Sequence, residues 1–242
     1  MTGNKQGPAR LAAVGTSLLT LSLLAFLAFG AKPLVADWLN EHTGVAEGEW
    51  EGDSGAEPVP ELPGEWEPWL VASGGTEPVG TGTLYRYRVE VESTTGLDPA
   101  SVADVVDYAL GHPRGWTNDG VAFQRTDDRG PVDMVVRVAM PDTVDRLCAP
   151  LETNGQVSCR IGSYVVLNQL RWENGVDAYA GDIEGYRVVL VNHEVGHLIG
   201  HSHVPCPGEG WLAPVMMQLY YTGLQGCVAN IWPYAEDGSF IG

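Results

Sequence analysis

Hydrophobic and polar positions divide the C-terminal two thirds of the chain into predicted strands and helices. Apolar and β-branched residues alternate or cluster in four segments, which predicts strands at residues 84–92, 121–126, 132–140 and 163–168. Residues 101–112 have apolar side chains at helical spacing, and Asp98 or Ser101 can cap that helix. Residues 143–148 predict a short helix and residues 186–200 a longer one. A Pro- and Gly-rich, irregular remainder follows, so the pattern predicts an α+β fold.

The N-terminal part of the chain has a different pattern. Residues 11–31 contain no charged residue and are long enough to cross a membrane as one helix. Lys5 and Arg10 lie before this run, which predicts a cytoplasmic segment 1–10, a transmembrane signal anchor at 11–31 and an extracellular C-terminal domain. Cleavage of the anchor would give a secreted protein instead. Glu, Pro and Gly dominate residues 32–83, which predicts an acidic linker before a folded domain at 84–242.

The charge of the chain restricts its partners. Acidic residues outnumber basic ones by 31 to 13, so the formal net charge is −18. Nucleic-acid binding needs clustered Lys and Arg, and this composition argues against it. An anionic bilayer surface is disfavoured for the same reason, which leaves the N-terminal helix as the predicted membrane contact.

Four cysteines indicate disulfide bonds in an exported chain. Two bonds among Cys148, Cys159, Cys206 and Cys227 allow three pairings, and the short spacings favour Cys148–Cys159 and Cys206–Cys227. A zinc site made of the four cysteines is the competing interpretation. It is disfavoured because the sequence has no Cys-x-x-Cys pair.

The segment from His193 to His203 contains a pattern typical of metal chemistry. Residues four apart lie on one face of a helix, so His193 and His197 can bind one Zn²⁺ together. Glu194 is adjacent to that face and is predicted to be the catalytic base. Gly200 can end the helix in a left-handed conformation and turn the chain, which favours His203 over His201 as the third ligand. Three protein ligands leave a fourth position for water, as in catalytic zinc sites.

These residues resemble the metzincin signature His-Glu-x-x-His-x-x-Gly-x-x-His at every specified position. The resemblance implies a metzincin-like zincin domain with a small twisted sheet, an active-site helix and an irregular, disulfide-tied C-terminal part. It also implies a methionine in a tight turn beneath the metal, for which Met216 is the first candidate and Met217 the second. From about Leu84 to the C-terminus the chain is similar to an exported family of high-GC Gram-positive bacteria with a metzincin-like zinc motif.

The resemblance implies an extracytoplasmic zinc metallopeptidase that hydrolyses protein or peptide substrates, with Glu194 as general base for a zinc-activated water. Two alternatives remain open at this point. One is a zinc amidase that acts on cell-wall peptides, and the other is a non-catalytic zinc-bearing binding module. The presence of Glu194 argues against the second, because a structural zinc site needs no base.

Overall fold

The structure, a computed structural model, describes residues 68–127 and 132–242. The predicted cytoplasmic segment, the predicted transmembrane anchor and the linker up to residue 67 lie outside the described residues. No helix within the described ranges is long and apolar enough to cross a membrane.

A seven-stranded mixed sheet forms the centre of the described part of the chain. Its strands are β1 Trp69–Val71, β2 Val79–Gly80, β3 Thr83–Glu92, β4 Val121–Arg125, β5 Met134–Ala139, β6 Cys159–Ile161 and β7 Tyr164–Asn168. Their order is β2-β4-β3-β5-β7-β6, and β1 pairs with the C-terminal end of β3. The four central strands run parallel, whereas β1, β2 and β6 pair antiparallel with their neighbours.

Helices connect and cover this sheet. They are α1 Pro99–Gly111, α2 Pro141–Leu147, α3 Gln169–Asn174, α4 Ile183–Leu198 and α5 Leu219–Thr222. Asp98 caps α1 by accepting a hydrogen bond from the backbone N–H of Ser101 at 3.1 Å, while Pro99 occupies the first turn, where its missing N–H has no cost. The predicted helices at 101–112, 143–148 and 186–200 are thereby confirmed to within a few residues.

The central strands are buried on both faces. Met134, Val136 and Val138 of β5 join the larger core with α1 and α4, whereas Val135 and Ala139 face a smaller core with α2. Successive side chains of a strand point to opposite faces, so a strand covered on both sides appears as a continuous apolar run. This confirms the predicted strands and the mixed α+β class.

The folded part begins earlier in the chain than the sequence pattern predicts. Strands β1 and β2 lie in the segment 68–83, which the sequence assigned to the linker, so the predicted boundary at residue 84 falls too late. These strands have three and two residues, too few to show a period of two. Trp69 instead packs through tertiary contacts, with its ring 4.4 Å from the guanidinium carbon of Arg137.

Two disulfides tie the irregular segments to this framework. Cys148 at the end of α2 is bonded to Cys159 at the start of β6, and Cys206 is bonded to Cys227. The predicted pairing is confirmed. The second bridge restrains the loop that follows His203. Removing a native disulfide from a small disulfide-bonded domain typically costs about 2–5 kcal/mol.

Candidate metal centre

The C-terminal half of α4 carries the first part of the site. Asp182 caps the start of this helix, because its side chain accepts a hydrogen bond from the backbone N–H of Gly185 at 2.9 Å. Its buried residues pack against α1 and the sheet, which fixes the orientation of its last two turns. His193, Glu194 and His197 lie on these turns, so the core determines where their side chains point.

Gly200 ends the helix as predicted. Its φ of 106° is a conformation that side-chain-bearing residues rarely adopt. The backbone N–H of Gly200 donates to the carbonyl of His197 at 3.3 Å, and that of His201 donates to the carbonyl of Gly196 at 2.8 Å. These two bonds form a Schellman motif, which closes the helix and reverses the chain. The reversal brings His203 back over the helix.

Three imidazole nitrogens then meet at one point. The Nε2 atom of His203 lies 3.2 Å from Nε2 of His193 and 2.9 Å from Nε2 of His197. A tetrahedral ion with metal–nitrogen bonds of about 2.0–2.1 Å holds its ligand nitrogens about 3.3–3.4 Å apart. The described residues therefore bring together three histidines that can hold a metal ion, at the three predicted positions.

Hydrogen bonds from the other ring nitrogen, Nδ1, fix the tautomers of His193 and His197. Nδ1 of His193 donates to the carbonyl of Val215 at 2.7 Å, and Nδ1 of His197 donates to the carbonyl of His201 at 2.8 Å. A carbonyl oxygen can only accept, so both protons are on Nδ1 and both Nε2 atoms present lone pairs. Metal-binding histidines commonly make such outer contacts, which orient the ring and raise its basicity.

The three histidines are uncharged at neutral pH. Burial lowers the pKa of His193 to about 3, with smaller contributions from the charges of His197 and His203 against the opposing bond to Val215. Burial also lowers the pKa values of His197 and His203. Neutral imidazole is the form that binds a metal, so little proton release opposes binding at pH 7.

Glu194 provides a buried carboxyl group beside the three nitrogens. Its side chain is 5% exposed and makes no hydrogen bond to any of the described residues. Burial raises its pKa to about 8, although the positive charge of Arg160 opposes that rise. A carboxyl group with a raised pKa and no partner in a cleft is typical of a proton-transfer role.

An open cleft of about 430 Å³ exposes these groups to solvent. One wall is the C-terminal half of α4 and the loop to His203, and the other is the strand β6 with the residues before it. Strand β6 is at an end of the sheet and pairs with β7 on one side. The cleft therefore runs beside a sheet edge.

A tight turn lies beneath the helix near the metal site. The backbone N–H of Met217 donates to the carbonyl of Pro214 at 3.1 Å, which closes a turn over residues 214–217. Both methionines are buried. A Cβ atom added at Gly196 would collide with Sδ of Met216, so Met216 packs directly against α4, while Met217 lines a side pocket beside the site. Met216 therefore packs beneath the helix that carries His193 and His197.

His201 takes no part in the metal cluster. Its Nε2 lies 2.8 Å from Oδ2 of Asp119, and its ring stacks on Trp116 with centroids 4.4 Å apart. Asp119 also accepts a hydrogen bond from the hydroxyl of Tyr234 at 3.0 Å. These contacts hold the turn after Gly200 in place, so the side chain of His201 stabilises the loop that leads to His203 and points away from the three clustered histidines.

Sequence reasoning assigned no role to two residues of the cleft. Nε2 of Gln218 lies 2.9 Å from Nε2 of His203, beside the point where the three ligands meet. Arg160 of β6 brings a positive charge near Glu194 and His197. The position of Gln218 directly after the methionine pair was the one available signal, and no pattern in the sequence indicated Arg160.

Comparison with known proteins gives a family and no function. Residues 63–235 match the family described as protein of unknown function (DUF3152), and this range contains the histidine cluster, Glu194 and both disulfides. Neither a curated protein nor a solved structure matches the chain. The match covers more than half of the sequence, so the chain belongs to the DUF3152 family.

Proposed function

We propose that this chain is an extracytoplasmic zinc-dependent metallopeptidase of metzincin-like mechanism. One observation carries the proposal: three uncharged imidazole nitrogens face one point, beside a buried carboxyl group that lines the same open cleft. A purely structural metal site would close the fourth position with another protein ligand. This cluster has three protein ligands among the described residues and opens to a cleft that can admit a substrate.

Zinc is the metal that fits this donor set best. His193, His197 and His203 supply three nitrogen ligands of the borderline-soft kind that Zn²⁺ accepts, in an arrangement close to a tetrahedral face. A zinc ion held there would lower the pKa of a water molecule towards 7 and polarise the substrate carbonyl.

Glu194 acts as the proton carrier. Its carboxylate takes the proton of the attacking water and returns it to the leaving amine. Without a metal, burial raises its pKa to about 8 against the opposing charge of Arg160, which would leave it largely protonated at pH 7. A bound dication favours the charged carboxylate and opposes this shift, so the base becomes available when the site is loaded.

Gln218 provides a second polar group for the reaction. Its side-chain amide nitrogen lies 2.9 Å from Nε2 of His203. The amide N–H of Gln218 can donate a hydrogen bond to the carbonyl oxygen of the substrate as negative charge develops on that oxygen. Removing one such donor from an enzyme typically lowers kcat by about 10²–10³-fold.

The sheet edge beside the cleft supports a peptide substrate. Strand β6 carries Cys159 and Arg160 along the wall of the cleft, and its outer side has no strand partner among the described residues. An extended peptide can add to such an edge through main-chain hydrogen bonds. The two disulfides support an oxidising, extracytoplasmic location, for which the charge-free run at residues 11–31 offers the anchor.

The test combines metal analysis with a peptide library. Purified full-length protein should contain about one zinc per chain and should cleave library peptides, and chelation should abolish cleavage. Glu194→Gln keeps the shape and removes the base, so zinc should remain while cleavage falls by several orders of magnitude. Glu184→Gln on the exposed first turn of α4 is the matched control and should retain activity. Bound zinc with no cleavage of any peptide would refute the peptidase and leave the amidase and the binding module.

A further inference from the structure

A side pocket opens from the metal cleft. It lies between α4 and residues 217–220 and shares the walls formed by Ser158, His193 and Glu194 with the cleft. Its volume of about 40 Å³ accommodates roughly three water-sized groups. The pocket is therefore large enough for a carboxylate and the methylene that carries it, next to the reacting centre.

Arg171 of α3 gives this pocket a positive charge. One terminal nitrogen donates to the carbonyl of Gly175 at 2.9 Å and the other to Oε1 of Gln156 at 3.3 Å. Both acceptors are uncharged, and the buried Nε atom makes no hydrogen bond. No carboxylate of the described residues forms an ion pair with Arg171, although the chain carries an excess of acid.

The rest of the pocket strengthens the effect of this charge. Tyr186, Leu190, Met217 and Leu219 contribute apolar surface, and among the lining residues Arg171 is the permanent cation. A half-buried charge attracts an anion more strongly in such surroundings than in water. The guanidinium also lies 5.2 Å from the centroid of the Tyr220 ring, but no carboxylate of the described residues pairs with it. A guanidinium that lines a recess without an ion-pair partner is suited to bind a carboxylate of a ligand.

Resting on the proposed peptidase function, we infer that this pocket binds a substrate carboxylate close to the scissile bond and that Arg171 is its partner. The carboxylate comes from an Asp or Glu side chain or from the free terminus of the peptide, since both present the same group. Glu194 lies where the side pocket opens into the cleft, and its carboxylate is anionic when a metal is bound. A dication held by the three histidines exceeds this single negative charge, so the opening of the pocket is net positive. Arg171 is thus a specificity-determining residue, and the enzyme prefers substrates that present a carboxylate to this pocket.

Matched peptides measure this preference. A substrate from the library is made with Glu or Gln at each residue flanking the scissile bond, with its C-terminus amidated. A second pair ends one residue after the bond, as a free acid or as an amide. In one of these pairs kcat/KM for the carboxylate should exceed that for the amide by about 10–100-fold, and the pair that responds identifies the source of the carboxylate.

Variants assign the preference to Arg171. In Arg171→Gln the ratio of carboxylate to amide should fall to about one, and Arg171→Lys should restore part of it. The ratio is taken within each variant, so it does not depend on how much protein folds. Arg187→Gln is the control, because Arg187 lies on α4, outside the pocket lining, and donates to the carbonyl of Trp172; it should keep the full ratio.

Three results would count against this inference in different ways. Cleavage without a preference for a carboxylate would overturn it and leave the peptidase standing. A preference that survives in Arg171→Gln would also overturn it, because another group would then bind the substrate carboxylate. No cleavage of any peptide by the zinc-loaded wild type would overturn the peptidase itself, and the inference with it.

Discussion

Replacing Gly200 by alanine tests whether the end of α4 controls the metal site. A Cβ atom at Gly200 would meet nothing within 4 Å, so the substitution causes no clash and acts through the backbone alone. A φ of 106° costs an L-residue about 1–2 kcal/mol. The metal-free chain can escape this strain if α4 continues past Leu198, which would carry His203 away from the other two ligands.

Zinc binding must then restore the strained turn. The free energy of zinc binding should therefore become less favourable by up to the strain energy. A loss of about 1.4 kcal/mol raises the dissociation constant tenfold. Competition with a chelator of known affinity measures this constant, and thermal unfolding of the metal-free protein measures stability. We expect Gly200→Ala to bind zinc about 5- to 30-fold more weakly than wild type.

Gly96 offers a matched control for this experiment. It follows the short 3-10 helix Ser93–Thr95, has a φ of 71° and also has open space around the added Cβ atom. Gly96→Ala should lower the free energy of unfolding by about 1 kcal/mol and leave zinc affinity unchanged, because it does not link any two ligands. Equal zinc affinities of the two variants would refute the argument that Gly200 sets the position of His203.

Other predictions concern single side chains and pH. His203→Ala should lose zinc, whereas His201→Ala should keep it and lower the melting temperature, as metal analysis and calorimetry will show. Gln218→Ala should keep zinc and lower kcat by about 10²–10³-fold in a peptide assay. In metal-free protein, His193 has a pKa of about 3 against 6.5 unfolded, so the unfolded state binds more protons and stability falls as pH drops through this window. Glu194 has a pKa of about 8 against 4.5, so the folded state binds more protons and stability falls as pH rises towards 8. Thermal scans under chelation should show both losses, and Glu194→Gln should remove the alkaline one.

The long periodic elements of the fold were predictable because their pattern is local. Strand β3 alternates apolar and charged residues from Tyr85 to Glu92, and α1 carries both a helical stripe and its cap within the segment starting at Asp98. Strands β1, β2 and β6 were missed because two or three residues cannot show a period, and their conformation depends on the strand beside them. The same limit explains the late boundary at residue 84.

The sequence by itself determined which three histidines can hold a metal ion, because helical spacing and one glycine turn connect His193, His197 and His203 within eleven residues of chain. It also determined the catalytic candidate Glu194, through its place beside the first ligand. The tertiary structure alone decided which groups surround them. Gln218 and Arg171 come from other segments, and Asp119 holds His201 from 82 residues away. Packing of α4 against the sheet and the loops brings such distant residues together, and no local pattern records that arrangement.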